Sequence, residues 1–290
     1  MKKSIRKIMM AAGILGTLFG SFAIGHKSYA AVNQQTTDTK RVKLSDDVVL
    51  ANTAKYKDMD YSFLKTFDYS NVQEAKYEYD TTEEMIVSNA KVGRYVKTKG
   101  YYTVGDGGAA CYLISEEKET GGIQLSNGLY ANIQLATYKD TSGVKWAVGN
   151  IKQFGAKGDG VTEDHDAVNI ASVRIGEIVK QQSDQFDRGM VFMPEGEYKI
   201  ANQININFSN LNMVGEGDDK TILFTDNDYR KEAGYTEFMF SCWGANNMYF
   251  GDFQIDAREV DLYHYMRQFV VVYSENVYLY NVDLNIPQST

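Results

Sequence analysis

Three short segments in the C-terminal half of the 290-residue chain carry one pattern, and that pattern leaves few folds open. Asn210 begins NLNMVG, Asn247 begins NMYFGDFQID and Asn276 begins NVYLYNVDLN, with the asparagines 37 and 29 residues apart. Unequal steps between equal corners describe coils that share a cross-section and differ in their loops. One coil cannot bury its own apolar side, so coils of this kind stack into a continuous core whose ends need covering. Period-two alternation turns Phe253 and Ile255 inward and leaves Asp252, Gln254 and Asp256 on the outer face. The 29-residue step then puts Asn281, Asp283 and Asn285 outward on the next coil, with Val282, Leu284 and Ile286 inside. Asp283 falls directly beside Gln254 and diagonal to Asp252 and Asp256.

Upstream, the stretch from Asn150 to Phe224 prepares this stack. FGAKGDG, Phe154 to Gly160, is a glycine-punctuated turn in which three glycines can take positive φ. A helix is predicted from Glu163 to Val179, with Thr162 as N-cap and acidic residues in the first turn facing the positive end of the helix dipole. Its stripe of Val168, Ala171, Ile175, Ile178 and Val179 must cover something apolar. Strand Met190 to Met193 ends at Pro194, Glu195 to Glu197 turns the chain, and Tyr198 to Ile200 resumes as strand.

FGAKGDGVTEDHDAV, then VFMPEGEY, then LNMVGEG, taken in order, resemble the opening segment of the pectate lyase superfamily. Within it, they look like the rhamnogalacturonase or epimerase-like pectate lyases, which are related to polygalacturonases and phage tailspikes. Gly155, Gly158, Asp159, Gly160, Asp164, Pro194, Gly196, Tyr198, Gly215 and Gly217 carry the pattern. His165 departs from it, standing where the family has a small polar or acidic residue. The resemblance implies an all-β chain, a right-handed single-stranded parallel β-helix over residues 150–290. The helix at its N-terminal end would cap the first rung and block an open strand edge. Strand-like Val282 to Ile286 leads to Thr290 without such a cap, so further coils are expected beyond it.

Residues 1–30 have the three parts of a secretory signal: basic Lys2, Lys3, Arg6 and Lys7, an apolar run from Ile8 to Gly25, and Ser28-Tyr29-Ala30 at the cleavage position. Secretion is expected; the alternative is a membrane anchor formed by the uncleaved segment. Removing these residues takes away five basic groups and moves the net charge from −8 to −13. So acidic a chain is a poor partner for nucleic acid. Residues 31–80 read as a linker, irregular and aromatic toward Tyr79. Residues 81–149 read as a small β module, with a short helix in Glu83 to Lys91. Tight turns are predicted at Gly105 to Gly108, between two Tyr-rich strands, and at Ser126 to Gly128. Its GYY, GDGG and Tyr pattern resembles the small module upstream of β-helices in tail proteins. No lysine follows in P-loop spacing, which sets aside a phosphate loop. Cys111 and Cys242 fall in different modules and read as two separate buried thiols.

The resemblance implies a polysaccharide substrate, cleaved by hydrolysis or β-elimination. Hydrolysis needs two carboxylates flanking the glycosidic bond. Diagonal neighbours on adjacent strands lie about 7–8 Å apart, inside the roughly 6.5–9.5 Å of an inverting glycosidase. Asp283 is therefore the candidate partner of Asp256 or Asp252 as acid and base, with Arg258, His264 and Tyr265 as candidate substrate-binding residues. A lyase of this kind would use a basic side chain and a cation such as Ca2+, whereas a hydrolase needs none. No residue is assigned to a metal, and Asp218-Asp219 reads as a solvated turn. The rival readings are a glycan-binding or cell-surface module without catalysis and a structural fragment of tail-fibre type, for which tailspike analogy allows a trimer.

Overall fold

The computed structural model describes residues 77–226, 237–258 and 266–285. The first unit is a five-stranded sheet. It holds β1 (Tyr77–Tyr79), helix α1 (Thr82–Ile86) beside it, β2 (Tyr95–Thr98), β3 (Ala110–Ser115), β4 (Ile123–Gln124) and β5 (Tyr130–Gln134), in the order β1-β2-β3-β5-β4. Thr81 caps α1 by accepting the Glu84 N–H, and the helix stops at Ile86, short of the predicted Lys91. The Ser126 to Gly128 turn forms as expected, with the Gly128 N–H donating to the Leu125 carbonyl at 3.0 Å. Gly105 to Gly108 is not a tight hairpin turn. It belongs to a long loop between β2 and β3, wound on Asp106, whose carboxylate accepts the N–H groups of Tyr101, Tyr102, Thr103 and Gly108 at 2.7–3.0 Å. Tyr101 and Tyr102 therefore lie in the loop.

β6 (Ala136–Lys139) and β7 (Lys145–Asn150) do not join that first sheet. They pair antiparallel with each other, and β7 runs parallel to β9 (Arg188–Met193), with Trp146 opposite Arg188. VKWAVG is thus the first strand of the coiled stack rather than the last of the small module. β7 crosses the expected boundary at 149, and the five-stranded sheet reaches back across the one at 80, because β1 lies before it and pairs with β2.

Asn150 opens a 3-10 turn, Ile151–Phe154, and Gly155 closes it in the left-handed region at φ 99°. Then come β8 (Asp159–Glu163) and helix α2 (His165–Gln181). The start of α2 differs from the prediction. Thr162 sits in β8 and donates its hydroxyl to Asp159, while the N-cap position is Asp164, whose carboxylate turns away from the helix. It accepts the Lys157 and Gly158 N–H groups at 2.7 and 2.9 Å, so it holds the FGAKGDG turn instead of the helix end. His165 Nε2 donates to the Gln203 carbonyl at 2.9 Å, which ties the helix start to the residue just ahead of the strand Ile204–Ile206. Val168, Ala171, Ile175, Ile178 and Val179 are buried in one cluster with Val191, Met193, Ile204, Ile206 and Leu211.

After β9 the chain winds. β10 (Gly196–Lys199), β11 (Ile204–Ile206), β12 (Leu211–Gly215), β13 (Thr221–Thr225), β14 (Glu237–Trp243), β15 (Met248–Ala257), β16 (Met266–Val272) and β17 (Val277–Asn285) follow. All pair in parallel, and the pairing sorts them into three legs. The first leg stacks β7, β9, β12 and the front halves of β15 and β17. The second stacks β8, β10, β13 and the rear halves of β15 and β17. The third stacks β11, β14 and β16. Each successive coil thus lays one strand on each of three sides, the topology of a parallel β-helix. The strand register shows why the 37-residue step is longer than the 29-residue one. The partner offset is 37 at Asn212 and Tyr249, 32 at Ile222 and Gln254 and 29 at Phe240 and Phe269, so five of the extra residues lie between β12 and β13 and three between β13 and β14.

The corners explain the asparagines. Asn210, Asn247 and Asn276 hold φ 61°, 58° and 55°, a left-handed conformation that Asn tolerates better than other side chains with a β-carbon. Their side chains form a ladder, Asn276 donating to Asn247 at 3.0 Å and Asn247 to Asn210 at 3.1 Å. Asp252 and Asn281 make a second corner of the same kind between first and second legs, at φ 60° and 51°. Inside the coil, Phe240 stacks on Phe269 with centroids 5.7 Å apart, and Phe250 meets Phe269 edge-on at 4.8 Å. Cys242 is buried in this core and Cys111 in the first unit, both as free thiols.

Candidate active site on the second leg

The outer faces of the legs differ. On the first leg Trp146, Val148, Met190, Phe192, Val214 and Tyr249 form a second buried apolar cluster. On the second leg the outward positions of β15 and β17 are polar and charged, because these two strands alternate there as the sequence predicts. Phe253 and Ile255 are fully buried, and Asp252, Gln254 and Asp256 are half-buried. Gln254 pairs with Asp283, and Asp256 with Asn285. The pairing continues outward through earlier coils, Ile222 beside Gln254 and Phe224 beside Asp256, then Glu197 and Lys199 beside those.

Adjacent coils tie the carboxylates down. Asp252 accepts the Asn281 amide at 3.0 Å and Asp256 the Asn285 amide at 3.1 Å. Asp256 also accepts from Arg258 Nε at 2.9 Å, and Arg258 Nη1 donates to Glu197 at 2.7 Å. The guanidinium lies over the Phe224 ring, 4.2 Å from its centroid, a cation–π contact. Burial works against the charge of Arg258, but the hydrogen bonds to Glu197 and Asp256 outweigh it and raise its pKa. Lys199 and Asp226 pair at 2.8 Å at the same edge.

Asp252, Asp256 and Asp283 thus share one face over two coils, and Arg258 joins them through Asp256. His264 and Tyr265 lie outside the described residues. Arg258 is engaged by two protein carboxylates, so it orders the site from within rather than presenting an unengaged cation to a substrate. Glu197 is the residue that sequence reasoning missed. Asp256 and Glu197 share Arg258 between them, so a Ca2+ does not fit there. Among the described residues no three of His, Cys, Asp and Glu come together as a metal-ligand set. Asp218 and Asp219 occupy a turn, as expected.

The family motif is architectural here. Gly158, at φ 65°, lies under Tyr198, where a β-carbon would approach the ring at 2.7 Å. Tyr198 donates its hydroxyl to the Pro194 carbonyl at 2.7 Å, locking the P-x-G-x-Y turn against the glycine turn. A β-carbon on Gly215 would meet the Asp252 carbonyl at 2.2 Å, so that corner needs glycine for the next coil to approach.

Coil, corners and glycine turn together define a pectate lyase-like parallel β-helix. Residues 148–290 match the family described as rhamnogalacturonase A/epimerase, pectate lyase-like, and this part of the chain belongs to that family. No curated protein matches the chain. Among solved structures it is similar to WceF of Pantoea stewartii, described as a glycan biofilm modifying enzyme with a tailspike-like parallel β-helix fold. Identity there is 13%, with 71% of this chain and 30% of that one covered, at a TM-score of 0.45. It is similar to tailspike gp49 of Acinetobacter baumannii bacteriophage Fri1, a capsular polysaccharide depolymerase, at 13% identity over 71% of this chain and 42% of that one, TM-score 0.43. ORF18 of Geobacillus virus E2 is 18% identical over 68% of this chain and 36% of that one, TM-score 0.34. The matched part of this chain therefore spans less than half the length of each of these proteins.

Proposed function

We propose that the protein is exported and hydrolyses a uronate-containing polysaccharide laid along the outer face of the second leg. The observation that supports this is the register of Gln254 with Asp283 and Asp256 with Asn285, next to the corner where Asn281 donates to Asp252. Diagonal neighbours on adjacent strands lie about 7–8 Å apart, a separation that leaves room for a water in an inverting mechanism, and the diagonal neighbours of Asp283 in this reading are Asp252 and Asp256. In this reading Asp283 gives its proton to the glycosidic oxygen as the C–O bond breaks. Asp256 takes a proton from the water that attacks the anomeric carbon. Arg258 and Asn285 hold Asp256 as an oriented carboxylate. Membership of residues 148–290 in a family of carbohydrate-directed β-helices supports the substrate class.

A second reading, glycan binding without cleavage, draws support from one observation. Asp252 and Asp256 each accept an amide from the next coil, which is also what a structural ladder does. Incubation of the full chain with pectins and other uronate polymers separates the two. New reducing ends are the expected outcome; an unsaturated-uronate absorbance would instead mean β-elimination, and retention without either product would mean binding alone. Asp283→Asn is expected to lower hydrolysis by ~10²–10⁴-fold. Hydrolysis at the wild-type rate in Asp283→Asn and Asp256→Asn would remove the assignment.

A further inference from the structure

On the corner between the third and first legs, away from the carboxylate face, two aromatic side chains stand in the open. Trp243 ends β14 and is 55% exposed, and Tyr273 follows β16 and is 69% exposed. Their rings meet edge to face, centroids 5.7 Å apart at 62°. In such a pair one ring spends a face on its neighbour's edge and the other keeps both faces, so the two form a floor and a wall.

The backbone beneath is the more telling observation. Trp243 pairs with Val272, which brings Gly244 level with Tyr273 on the next coil. Gly244 takes the left-handed corner at φ 66°, as glycine can without strain. Tyr273 takes the same corner at φ 52°, and a bulky residue there is a true outlier. Strain of this kind, held on an exposed side chain that adds nothing to the core, points to a use for that side chain. A β-carbon at Gly244 would meet nothing within 4 Å, so the space around this corner is open.

We propose that Trp243 and Tyr273 are a saccharide-stacking platform, taking the C–H face of a pyranose ring of the polysaccharide at a subsite separate from the second leg. The platform rests on the reading that the ligand is a polysaccharide. Ser274, Glu275 and Asn276 follow Tyr273, and Ala245 and Asn246 follow Gly244, so the rim around the rings is mostly polar. Two rings inside such a rim offer far less than the ~1,200–2,000 Å² of a stable protein interface. They match one or two sugar rings, whose apolar faces stack on aromatic rings while their hydroxyls reach a polar edge.

The chain has two tryptophans, and the other, Trp146, is fully buried under the Arg188 guanidinium. Changes in quenchable tryptophan emission therefore report on Trp243. The full chain is titrated with polygalacturonate, alginate and a neutral β-glucan while acrylamide quenching and retention on the immobilised polymers are followed. The expected result is that a retained polymer shields Trp243 from acrylamide. Trp243→Ala should weaken retention about ten-fold. Tyr273→Gly should weaken it similarly while its melting temperature holds or rises, since glycine relieves the corner. A polymer that binds Trp243→Ala as tightly as the wild type, or binds without altering quenching, overturns the platform. So does shielding that grows with protein concentration in the absence of polymer, which would mark a self-association face. A polymer that binds through Trp243 and is never cleaved removes the hydrolytic reading and leaves the platform standing, whereas retention of none of the three removes both.

Discussion

Asp159 and Asp164 belong to one glycine turn, and their carboxyl groups are pushed in opposite directions. The Thr162 and Val161 N–H groups and the Thr162 hydroxyl hold Asp159 down to about 2. Burial pushes Asp164, 1% exposed, up from 3.8 to about 6 despite the two N–H groups it accepts. The signs of their effects on stability differ accordingly. Asp159 contributes stability that is present above about pH 4 and lost as pH falls toward 2. Asp164 keeps a proton in the native state that the unfolded chain has released, so its contribution is full below about pH 4 and is lost as pH rises through 6. Over that window the loss is roughly 2–3 kcal/mol. Asp164→Asn cannot titrate. The difference in urea-unfolding free energy between it and the wild type should therefore move by that amount, in favour of Asn, between pH 4 and pH 7. A difference that stays constant with pH would show that Asp164 is ionised throughout. The sequence displayed Asp164 as an acid near a helix start, where a role toward the helix dipole is the local expectation. Its actual partners, the Lys157 and Gly158 N–H groups, are brought back by a turn whose path depends on three positive-φ glycines, and local helix rules do not see that far.

At the scale of elements, α2 fits its strands because glycines make room for it. A β-carbon on Gly189 would meet Ile175 at 2.6 Å, and one on Gly149 would meet it at 2.9 Å, so the side chain of Ile175 sits where β7 and β9 offer bare backbone. Ile175 and Ile178 are both buried. We propose that α2 caps the first coil, and replacing both with Asp places two charges in that contact, at a cost of roughly 4 kcal/mol or more. Ile175→Asp with Ile178→Asp should yield soluble aggregates through the exposed first coil, read by light scattering and size exclusion. A monomeric double variant with unchanged unfolding would mean that the helix is not the cap. The stripe was legible because helical period and burial coincide in it. Register was legible over the last two coils for a similar reason, since two kinds of corner, Asn247 with Asn276 and Asp252 with Asn281, repeat at the same 29-residue step. It was not legible back to Glu197. The intervening strand turns Ile222 and Phe224 outward, so no polar alternation marks its outer face, and Arg258 reaches Glu197 across it.

Across the whole molecule, one apolar cluster runs from Met85 in the first unit to Val282 on the last coil. Polar contacts reinforce the junction. Asn150 donates to the Gly107 carbonyl at 3.1 Å, Gln153 to the Ala109 carbonyl at 2.8 Å, and Tyr102 to the Gly155 carbonyl at 2.8 Å. Arg174 of α2 pairs with Glu119, between β3 and β4. The loop wound on Asp106 is therefore a docking surface for the start of the coil, which is why its carbonyls face Asn150 and Gln153. Both of those side chains are buried. Removing them leaves two carbonyls without their donors, at about 1–3 kcal/mol for each unsatisfied group. A shared core predicts that residues 77–285 unfold as one unit, so calorimetry of the full chain should show a single transition for them. Asn150→Ala with Gln153→Ala should move that transition down by roughly 5–10 °C, at about 2–4 °C per kcal/mol for a unit of this size, without dividing it. Two transitions in the wild type, with only the lower one displaced in the double variant, would show instead that the five-stranded sheet and the coils fold as separate domains joined by a polar seam.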